Sequence, residues 1–312
     1  MKAYFIRTEG DHTALELREA PTPNPGPEQF LVKVRAASLN RGEFLRGTMK
    51  PAAPKPAGNE AAGEVVGSGE RVMGRCPGGF AEYALMDRRD AIPAPPFLSW
   101  EEAAAVPITF MVVHDMLVGQ GKLQPGEWLL VTGVSSGVGV AALLAGKALG
   151  ANVIGTSGSK EKLDRLERLG LDVAIQTRKG DFHDAVMNAT GGKGANLVVN
   201  NVGGSVFAEC VHALAFEGRL ATVGYLDGVM KAEIDIDALH AKRLRLFGVS
   251  NKLRNAEQRS ATVSAFIRDF LPLFVSGKLK PLIDRVYPFD RLPEAVAYME
   301  SNAHLGKIVI HV

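Results

Sequence analysis

Cysteine is nearly absent from this chain of 312 residues, which has only Cys76 and Cys210. Two widely separated cysteines are too few for a disulfide framework or a four-cysteine zinc site, and they fit a reducing cytoplasm. The sequence also lacks an apolar run of about 18 residues, the length that spans a membrane, and its amino terminus has no apolar signal segment. These absences predict a cytoplasmic protein that is neither exported nor inserted in a membrane.

A large charge of one sign is also missing. The 36 Lys and Arg residues nearly balance the 34 Asp and Glu residues, which leaves a formal net charge of +2. So small a charge gives no bulk attraction to nucleic acid or to an anionic membrane surface. We therefore predict that nucleic acid is not a partner.

Histidine is scarce and scattered. None of the seven histidines stands in an HExxH pattern or another ligand spacing, so each is interpreted as a surface or core residue and no metal site is predicted. Their positions are His12, His114, His183, His212, His240, His304 and His311.

What the chain does contain divides it into segments of different character. Residues 1–96 hold short β-type runs, at 30–37, 63–66 and 80–86, separated by turns rich in Pro and Gly. Ser99 and Glu102 form the pattern of a capping box, which predicts the start of a helix. This pattern indicates a small, mostly β domain followed by a helical stretch.

From Trp128 onward, apolar strands alternate with helices, and the first two of these helices are predicted at about 137–149 and 160–169. Such alternation predicts a parallel sheet with crossover helices, which is a doubly wound α/β domain that binds a nucleotide. An amphipathic helix near 261–274 and a strand, helix and final strand are expected to return to the first domain. The predicted domains are therefore 1–107, 108–254 and 255–312.

The sharpest local signal is the segment LLVTGVSSGVG, in which a strand is followed by glycines and then by a helix. Glycines permit a tight turn and a close approach of the backbone to a pyrophosphate at the start of the helix. A plain strand–turn–helix is the alternative, but the βαβαβ context favours nucleotide binding. The predicted cofactor-binding residues of this loop are Gly133, Ser135, Ser136, Gly137, Val138 and Gly139.

The next strand ends in VIGTSGSKEK, without the Asp or Glu that selects NAD by binding the ribose hydroxyls. Thr156, Ser157 and Ser159 offer hydrogen bonds, and Lys160 or Lys162 offers a cation for a 2′-phosphate. We therefore predict NADPH as the cofactor, with Lys162 as a binding residue. The alternative for each lysine is the solvated face of a helix.

Other predicted cofactor residues follow later strands. Arg178 is expected to reach the adenosine phosphate, with an ordinary surface arginine as the alternative. Lys307 is expected to approach the cofactor phosphates, with a strand-edge lysine as the alternative. The carboxyl ends of two further strands add Asn201, Val202, Gly203, Gly224 and Tyr225.

The order of these motifs resembles the medium-chain dehydrogenase/reductase superfamily, and within it the zinc-free quinone oxidoreductases related to zeta-crystallin. The segments that carry the resemblance are VRAASLNRGEFLRG, GNEAAGEVVGSGERVMG, GGFAEYALM, AAAVPITFMVVHDML, the glycine-loop block 129–163, NNVGG and HLGKIVI. The resemblance implies an α/β fold with a GroES-like, mostly β catalytic domain, a Rossmann domain, and a carboxyl-terminal return to the first.

Zinc-dependent relatives carry Cys where this chain has Asn40 and His where it has Asn59, and amides are poor zinc ligands. The resemblance therefore implies a zinc-free transfer of hydride from NADPH to a small hydrophobic quinone or enone. It also implies that Asn40 lies near the nicotinamide ribose and that Thr109 lies beside the nicotinamide; both are predicted as catalytic. Glu43 stands where the family has Asp in an Asn-x-x-Asp motif, and a surface or capping carboxylate is an equal interpretation, so it is not predicted as catalytic.

The resemblance also implies a homodimer, formed through the strand in HAKRLRLFGVS. The stretch between VVGSG and ERVMG is shorter than in the family, which predicts a more open mouth of the substrate pocket, and specificity in this fold depends on such loops. Three alternatives stay open: an NADPH-dependent alkenal or enoyl reductase, a redox sensor that binds NADPH with little turnover, and a zinc alcohol dehydrogenase, which the two asparagines disfavour.

Overall fold

The computed structural model describes residues 1–9, 12–44 and 55–312. The chain forms two compact units. The first unit consists of residues 1–111, 255–275 and 280–312, and the second of residues 112–254 and 276–279. The sequence placed the corresponding boundaries after residues 107 and 254. The last three residues of the segment VRAASLNRGEFLRG, at 45–47, lie outside the described residues.

The amino-terminal part of the first unit is built from short strands, as its Pro- and Gly-rich turns predict. Its strands are β1 (Lys2–Glu9), β2 (His12–Glu19), β3 (Gln29–Ser38), β4 (Lys55–Pro56), β5 (Glu60–Val65), β6 (Arg71–Arg75), β7 (Tyr83–Asp87) and β8 (Ala91–Pro93). Two helices follow, α1 (Trp100–Ala104) and α2 (Pro107–His114), the second of which runs into the second unit. The capping box that Ser99 and Glu102 predict is present at the start of α1.

The second unit alternates strands with helices. Its strands are β9 (Trp128–Thr132), β10 (Asn152–Ser157), β11 (Val173–Gln176), β12 (Ala195–Asn200), β13 (Leu214–Thr222) and β14 (Arg245–Gly248). Its helices are α3 (Gly137–Ala148), α4 (Lys160–Glu167), α5 (His183–Ala189), α6 (Phe207–His212) and α7 (Ile236–Ala241). A π-helical segment, Asp115–Gly119, precedes β9.

All six strands of the second unit are parallel, in the order β11-β10-β9-β12-β13-β14. The chain builds outward from β9 to one edge and then returns to build the other half from β12. In a doubly wound sheet the carboxyl edge beside such a reversal is where ligands bind. The sheet core includes Leu130, Ile154, Val198 and Leu220, all fully buried.

The carboxyl-terminal segment completes the first unit with α8 (Ala256–Asp269), α9 (Leu271–Val275), β15 (Ile283–Pro288), α10 (Leu292–Glu300) and β16 (Lys307–His311). Strand β16 pairs antiparallel with β3. The larger sheet of this unit therefore joins the carboxyl-terminal strands to strands from residues 29–93, in the order β15-β16-β3-β5-β6-β8, with β7 also on β3. A predominantly α/β architecture with one mostly β unit and one doubly wound unit is confirmed.

The bounds predicted for the amphipathic helix at 261–274 are wrong. The helix begins at Ala256, because Asn255 and Gln258 form a second capping box that the sequence analysis overlooked. It ends at Asp269, and a separate short helix starts at Leu271. Pro272 explains the break, because proline lacks an N–H and its ring clashes with the carbonyl four residues earlier.

Across the parts of the chain that the structure describes, every helix is too short or too polar to cross a lipid bilayer.

Candidate active site

The predicted glycine loop lies at the carboxyl end of β9, the strand next to the chain reversal. Gly133 follows Thr132 with φ of 61°, a left-handed conformation that favours glycine. The N–H of Ser136 donates to the Gly133 carbonyl at 3.0 Å, which closes a tight turn directly before α3. The sequence predicted both the position and the form of this turn.

The turn packs closely on the first residues of α3. A Cβ added to Gly139 would lie 2.5 Å from the Gly133 carbonyl oxygen and 2.8 Å from the Val134 backbone. The Ser136 side chain caps the helix by accepting from the Gly139 N–H at 3.1 Å. The first N–H groups of a helix have no carbonyl partner within it, so those of Gly137 and Val138 are oriented to bind an anion.

The hydroxyls predicted to bind the cofactor also hold the loop in place. Thr156 is buried under the turn, and its Oγ1 accepts from the Gly133 N–H at 3.2 Å. Ser135 and Ser157 share a hydrogen bond of 3.0 Å between their hydroxyls. We therefore attribute to Thr156 and Ser157 a positioning role that the sequence analysis did not consider.

A cationic group lies beside the end of β10, where an acid would select NAD. The Arg178 side chain crosses Gly158 so closely that a Cβ there would collide with it, 2.7 Å from its Cζ. Within the described ranges, Arg178 has no ion-pair partner, so its charge is available to an anion. Ser159 caps α4 by accepting from the Lys162 N–H, whereas the Lys160 ammonium pairs with Asp164 at 2.9 Å.

The residues predicted after β12 and β13 lie together at the same edge of the sheet. Backbone hydrogen bonds join Asp227 to Val202 and Leu226 to Asn201. A Cβ on Gly133 would lie 3.4 Å from the Val202 side chain, so the glycine loop is their neighbour. Tyr225, in the same loop as Gly224, is half exposed.

Asn200 organises this edge, and the sequence analysis missed it. Its Oδ1 accepts from the N–H groups of Val202 and Gly203 at 3.0 Å, and its Nδ2 donates to the Gly203 carbonyl. Asn201 instead uses its side chain to donate to the Thr132 carbonyl. The paired asparagines at the end of an apolar strand were the available signal, because a buried amide there must find partners in the turn.

A second group of polar residues lies inside the first unit and is named here the buried polar cluster: Ser38, Asn40, Glu43, Glu60, Thr109 and Lys307. Ser38 ends β3, Asn40 is the N-cap residue of the short 3-10 helix Arg41–Glu43, and Glu43 ends that helix. The others come from the start of β5, from α2 and from the start of β16. Pairing of β16 with β3 brings Lys307 beside Asn40, although 267 residues separate them.

Lys307 supplies the positive charge of the buried polar cluster. Its ammonium donates to Glu60 Oε1 and to the Leu39 carbonyl at 3.0 Å, to Asn40 Oδ1 at 2.9 Å and to Thr109 Oγ1 at 3.2 Å. The residue is only 5% exposed, and four acceptors share its three N–H bonds. We therefore propose a role for Lys307 within this cluster in place of the predicted approach to cofactor phosphates.

Glu60 is a fully buried carboxylate with both oxygens satisfied. Its Oε1 accepts from Ser38, Asn40 and Lys307, and its Oε2 accepts from the Ile108 N–H at 2.6 Å. Neither Glu60 nor its pairing with Lys307 was predicted from the sequence. A charged residue at the start of each of two mostly apolar strands was the available signal, because buried charges are paired.

Glu43 is the second carboxyl of the cluster and is 6% exposed. Its Oε1 accepts from Asn40 Nδ2 at 3.0 Å, while its Oε2 has no partner at hydrogen-bond geometry among the described residues. Burial raises the pKa of Glu43 to about 8, against the opposing effect of the Asn40 amide; nearby Glu60 raises it further, and Lys307 and Asn59 lower it. The interpretation of Glu43 as a surface carboxylate is therefore wrong.

Asn40 and Asn59 stand at the two positions where the resemblance implies Cys and His in zinc-dependent relatives. The oxygen of Asn40 accepts from Lys307, and its nitrogen donates to both Glu43 and Glu60. Over residues 1–9, 12–44 and 55–312, no group of three or more His, Cys, Asp or Glu side chains is arranged to hold a metal ion.

Comparisons with known proteins place the chain among oxidoreductases. The family described as zinc-binding dehydrogenase matches residues 137–266. The "Quinone oxidoreductase-like protein 2 homolog" of Nematostella vectensis is 31% identical over 93% of this chain and 83% of its own length. A phenolphthiocerol/phthiocerol polyketide synthase subunit of Mycobacterium tuberculosis is 30% identical over 98% of this chain, which spans only 14% of that protein.

Several solved structures match the whole chain over their whole lengths. One, an NAD-dependent alcohol dehydrogenase, is 30% identical with a TM-score of 0.85. Another, the quinone oxidoreductase of Thermus thermophilus, described also in complex with NADPH, is 27% identical with a TM-score of 0.84.

Proposed function

The chain belongs to the quinone oxidoreductase family of the medium-chain dehydrogenase/reductase superfamily, and we propose that it is an NADPH-dependent enzyme that transfers a hydride to a quinone or a similar conjugated carbonyl compound. The observation that carries the cofactor assignment is the glycine loop, which closes on α3 only because Gly139 lacks a side chain. The T. thermophilus relative with its NADPH complex supports the same assignment.

Residues of the second unit would hold the cofactor. The N–H groups at the start of α3 would bind its pyrophosphate, and Ser159, Lys162 and Arg178 would bind its 2′-phosphate. When bound, NADPH supplies the hydride. The absence of an acid after β10, with Arg178 over Gly158, supports NADPH over NADH, although one structural relative is described as NAD-dependent.

We propose that Asn40 and Thr109 act in the reaction. The Thr109 hydroxyl accepts from Lys307, so its own O–H is available to donate to the oxygen of the acceptor, where negative charge develops. Asn40 uses both N–H bonds on the two carboxyls, but its oxygen keeps a lone pair that can accept from a ribose hydroxyl.

Zinc independence is also part of the proposal. An amide is a poor zinc ligand, and Asn40 is already occupied by Lys307 and two carboxyls. Without a Lewis-acid metal, an alcohol is a poor hydride donor, because its proton must leave as the hydride departs. An electron-poor quinone or enone can accept a hydride from the nicotinamide directly. Full activity after dialysis against a chelator would support this, and loss of activity that zinc restores would contradict it.

The function is tested by following NADPH and NADH oxidation with benzoquinone, a naphthoquinone, an alkenal and a simple aldehyde. We expect rapid oxidation of NADPH with the quinones and slower oxidation of NADH. Oxidation with the alkenal alone would instead identify an alkenal or enoyl reductase. Tight NADPH binding without turnover would identify a redox sensor and overturn the proposal.

Replacing Thr109 with valine is expected to lower kcat by about 100-fold, the usual effect of removing one donor to a developing oxyanion. Valine keeps the shape of threonine, so the fold and NADPH affinity should persist. Thr22→Val, which makes the same change at an exposed position of the same unit, is the control. Steady-state kinetics with a quinone provide the measurement, and an unchanged kcat would remove Thr109 from the catalytic residues.

Replacing Gly158 with alanine is expected to weaken NADPH binding by roughly tenfold, the equivalent of about 1.4 kcal/mol, because the Cβ displaces Arg178 from its position. NADH, which has no 2′-phosphate, should bind as before. Dissociation constants for both cofactors, measured by titration calorimetry, test this. Arg178→Ala should have the same effect, and the double variant should add little; additive losses would show that the two residues act separately.

We further propose that the protein is a cytoplasmic homodimer. Among the described strands, β14 is at one edge of the parallel sheet, and an edge strand can pair with a second copy. Sedimentation analysis of the wild type, and of a variant with proline at Leu246 in β14, would test this: a dimer that the proline leaves intact would contradict pairing through β14.

A further inference from the structure

The buried polar cluster holds one cation and two carboxyl groups. Lys307 is the cation, and Glu60 and Glu43 are the carboxyls, all less than a tenth exposed. If both carboxyls were ionised, the cluster would carry an uncompensated negative charge, which is costly away from water. One of the two carboxyls is therefore expected to hold a proton.

The hydrogen bonds identify which carboxyl holds it. Glu60 accepts from four donors and contacts the Lys307 ammonium at 3.0 Å, which stabilises its ionised form. Glu43 receives one hydrogen bond to Oε1, from Asn40, and its buried Oε2 has no partner at hydrogen-bond geometry among the described residues. A buried oxygen without a donor disfavours the negative charge. The proton belongs on Glu43.

We propose that Glu43 supplies the proton of the reaction: its buried carboxyl group holds a proton at neutral pH and releases it to the oxygen of the acceptor after hydride transfer. The second part of this proposal, release of the proton to the acceptor, rests on the proposed function. Asn40 is the only half-buried residue of the buried polar cluster, and we propose that it lies at the site of reaction. Glu43 contacts Asn40 directly, so the acid is separated from that site by one side chain.

The step balances. Hydride transfer gives the acceptor one hydrogen and two electrons, oxidises NADPH to NADP⁺ and leaves a negative charge on the oxygen of the acceptor. The O–H bond of Glu43 then breaks, an O–H bond forms on the reduced acceptor, and Glu43 becomes a carboxylate. Solvent protonates Glu43 again, so each turnover consumes one proton.

The other members of the buried polar cluster are poorer sources of the proton than Glu43. Lys307 and Glu60 form a buried ion pair at 3.0 Å, and taking a proton from Lys307 would leave a buried charge without its partner. Thr109 donates a hydrogen bond well but is a very weak acid. Among residues 1–9, 12–44 and 55–312, the groups that act on Glu43 are Asn40, Asn59, Glu60 and Lys307, and burial raises the pKa of Glu43 to about 8. An acid with a pKa near the working pH suits proton transfer.

The first experiment detects the acid without requiring turnover. Infrared difference spectra between wild type and Glu43→Gln, recorded across neutral and alkaline pH, should show the carbonyl stretch of a protonated carboxylic acid. The band should disappear as the pH rises through about 8. Glu28→Gln, which removes an exposed carboxyl of the same unit, is the control, and its spectrum should still contain the carboxylic acid band. Absence of the band from the wild type at neutral pH would overturn the proposal.

The second experiment tests use of the proton with NADPH and a quinone. The kcat of the wild type should fall as the pH rises through about 8, because the catalytic acid must be protonated. Glu43→Gln, an uncharged analogue of the protonated acid, should lower kcat by roughly 100-fold and abolish this pH dependence. Glu43→Asp should restore part of the rate.

The outcomes separate the two proposals. An acid band together with wild-type rates and an unchanged pH profile in Glu43→Gln would overturn the role of Glu43 while leaving the function standing. An acid band in a wild type that reduces none of the acceptors would overturn the proposed function, and with it the supply of a proton to an acceptor.

Discussion

Replacing Lys307 with methionine is expected to lower the free energy of unfolding of the first unit by about 3–5 kcal/mol, the usual cost of breaking a buried ion pair. Methionine fills much the same volume but leaves Glu60 with a buried negative charge and no cation. Asn40 and Thr109 also lose a donor. Urea unfolding followed by circular dichroism measures the lost free energy of unfolding. An unfolding midpoint equal to that of the wild type would show that the ion pair of Lys307 and Glu60 does not stabilise the first unit.

The double variant Lys307→Met/Glu60→Gln separates charge from packing. It removes both charges, so it should recover a substantial part of the stability that Lys307→Met loses, although the amide has one acceptor oxygen for the three donors that remain around position 60. Lys33→Met is the matched control, because Lys33 is exposed on β3 in the same sheet and its replacement should change stability by no more than about 0.5 kcal/mol. A double variant less stable than Lys307→Met would show that charge compensation is not the cause.

The features that sequence could predict are those whose causes are local. The glycine loop is specified by residues adjacent in the chain, because the turn at Gly133, the cap at Ser136 and the close contact of Gly139 all lie within seven positions. Alternation of strands and helices likewise determined the parallel sheet. The missed cap at Asn255 was also local and was visible in the sequence.

The buried polar cluster could not be predicted in this way, because its causes are distant in sequence. The contact between Lys307 and Glu60 joins residues 247 positions apart and exists only because β16 pairs with β3. From sequence, Lys307 was equally a strand-edge residue or a phosphate ligand. Glu43 was misjudged for the same reason, since its burial depends on neighbours from β5 and β16. The periodicity of a sequence shows that a strand is apolar, but it does not show which distant side chain pairs with a charged residue buried on that strand.

Replacing Gly139 with alanine is expected to weaken NADPH binding by at least about 100-fold. The added Cβ would lie 2.5 Å from the Gly133 oxygen and 2.8 Å from two backbone atoms of Val134, so the turn or the first residues of α3 must shift. The shift moves the N–H groups of Gly137 and Val138 away from the pyrophosphate. A hydrogen bond to a charged group contributes about 1.5–3 kcal/mol, so misplacing two of them corresponds to roughly 100-fold or more in affinity.

Gly248→Ala is the matched control for that substitution. Gly248 ends β14 in the same sheet, and a Cβ there meets no atom within 4 Å. The control should therefore bind NADPH as the wild type does, by fluorescence titration. Since Ser136 caps α3 through the Gly139 N–H itself, the helix can still form in Gly139→Ala, and circular dichroism should show the same helical content. Wild-type affinity in that variant would mean that the close contact between turn and helix is not what shapes the phosphate site.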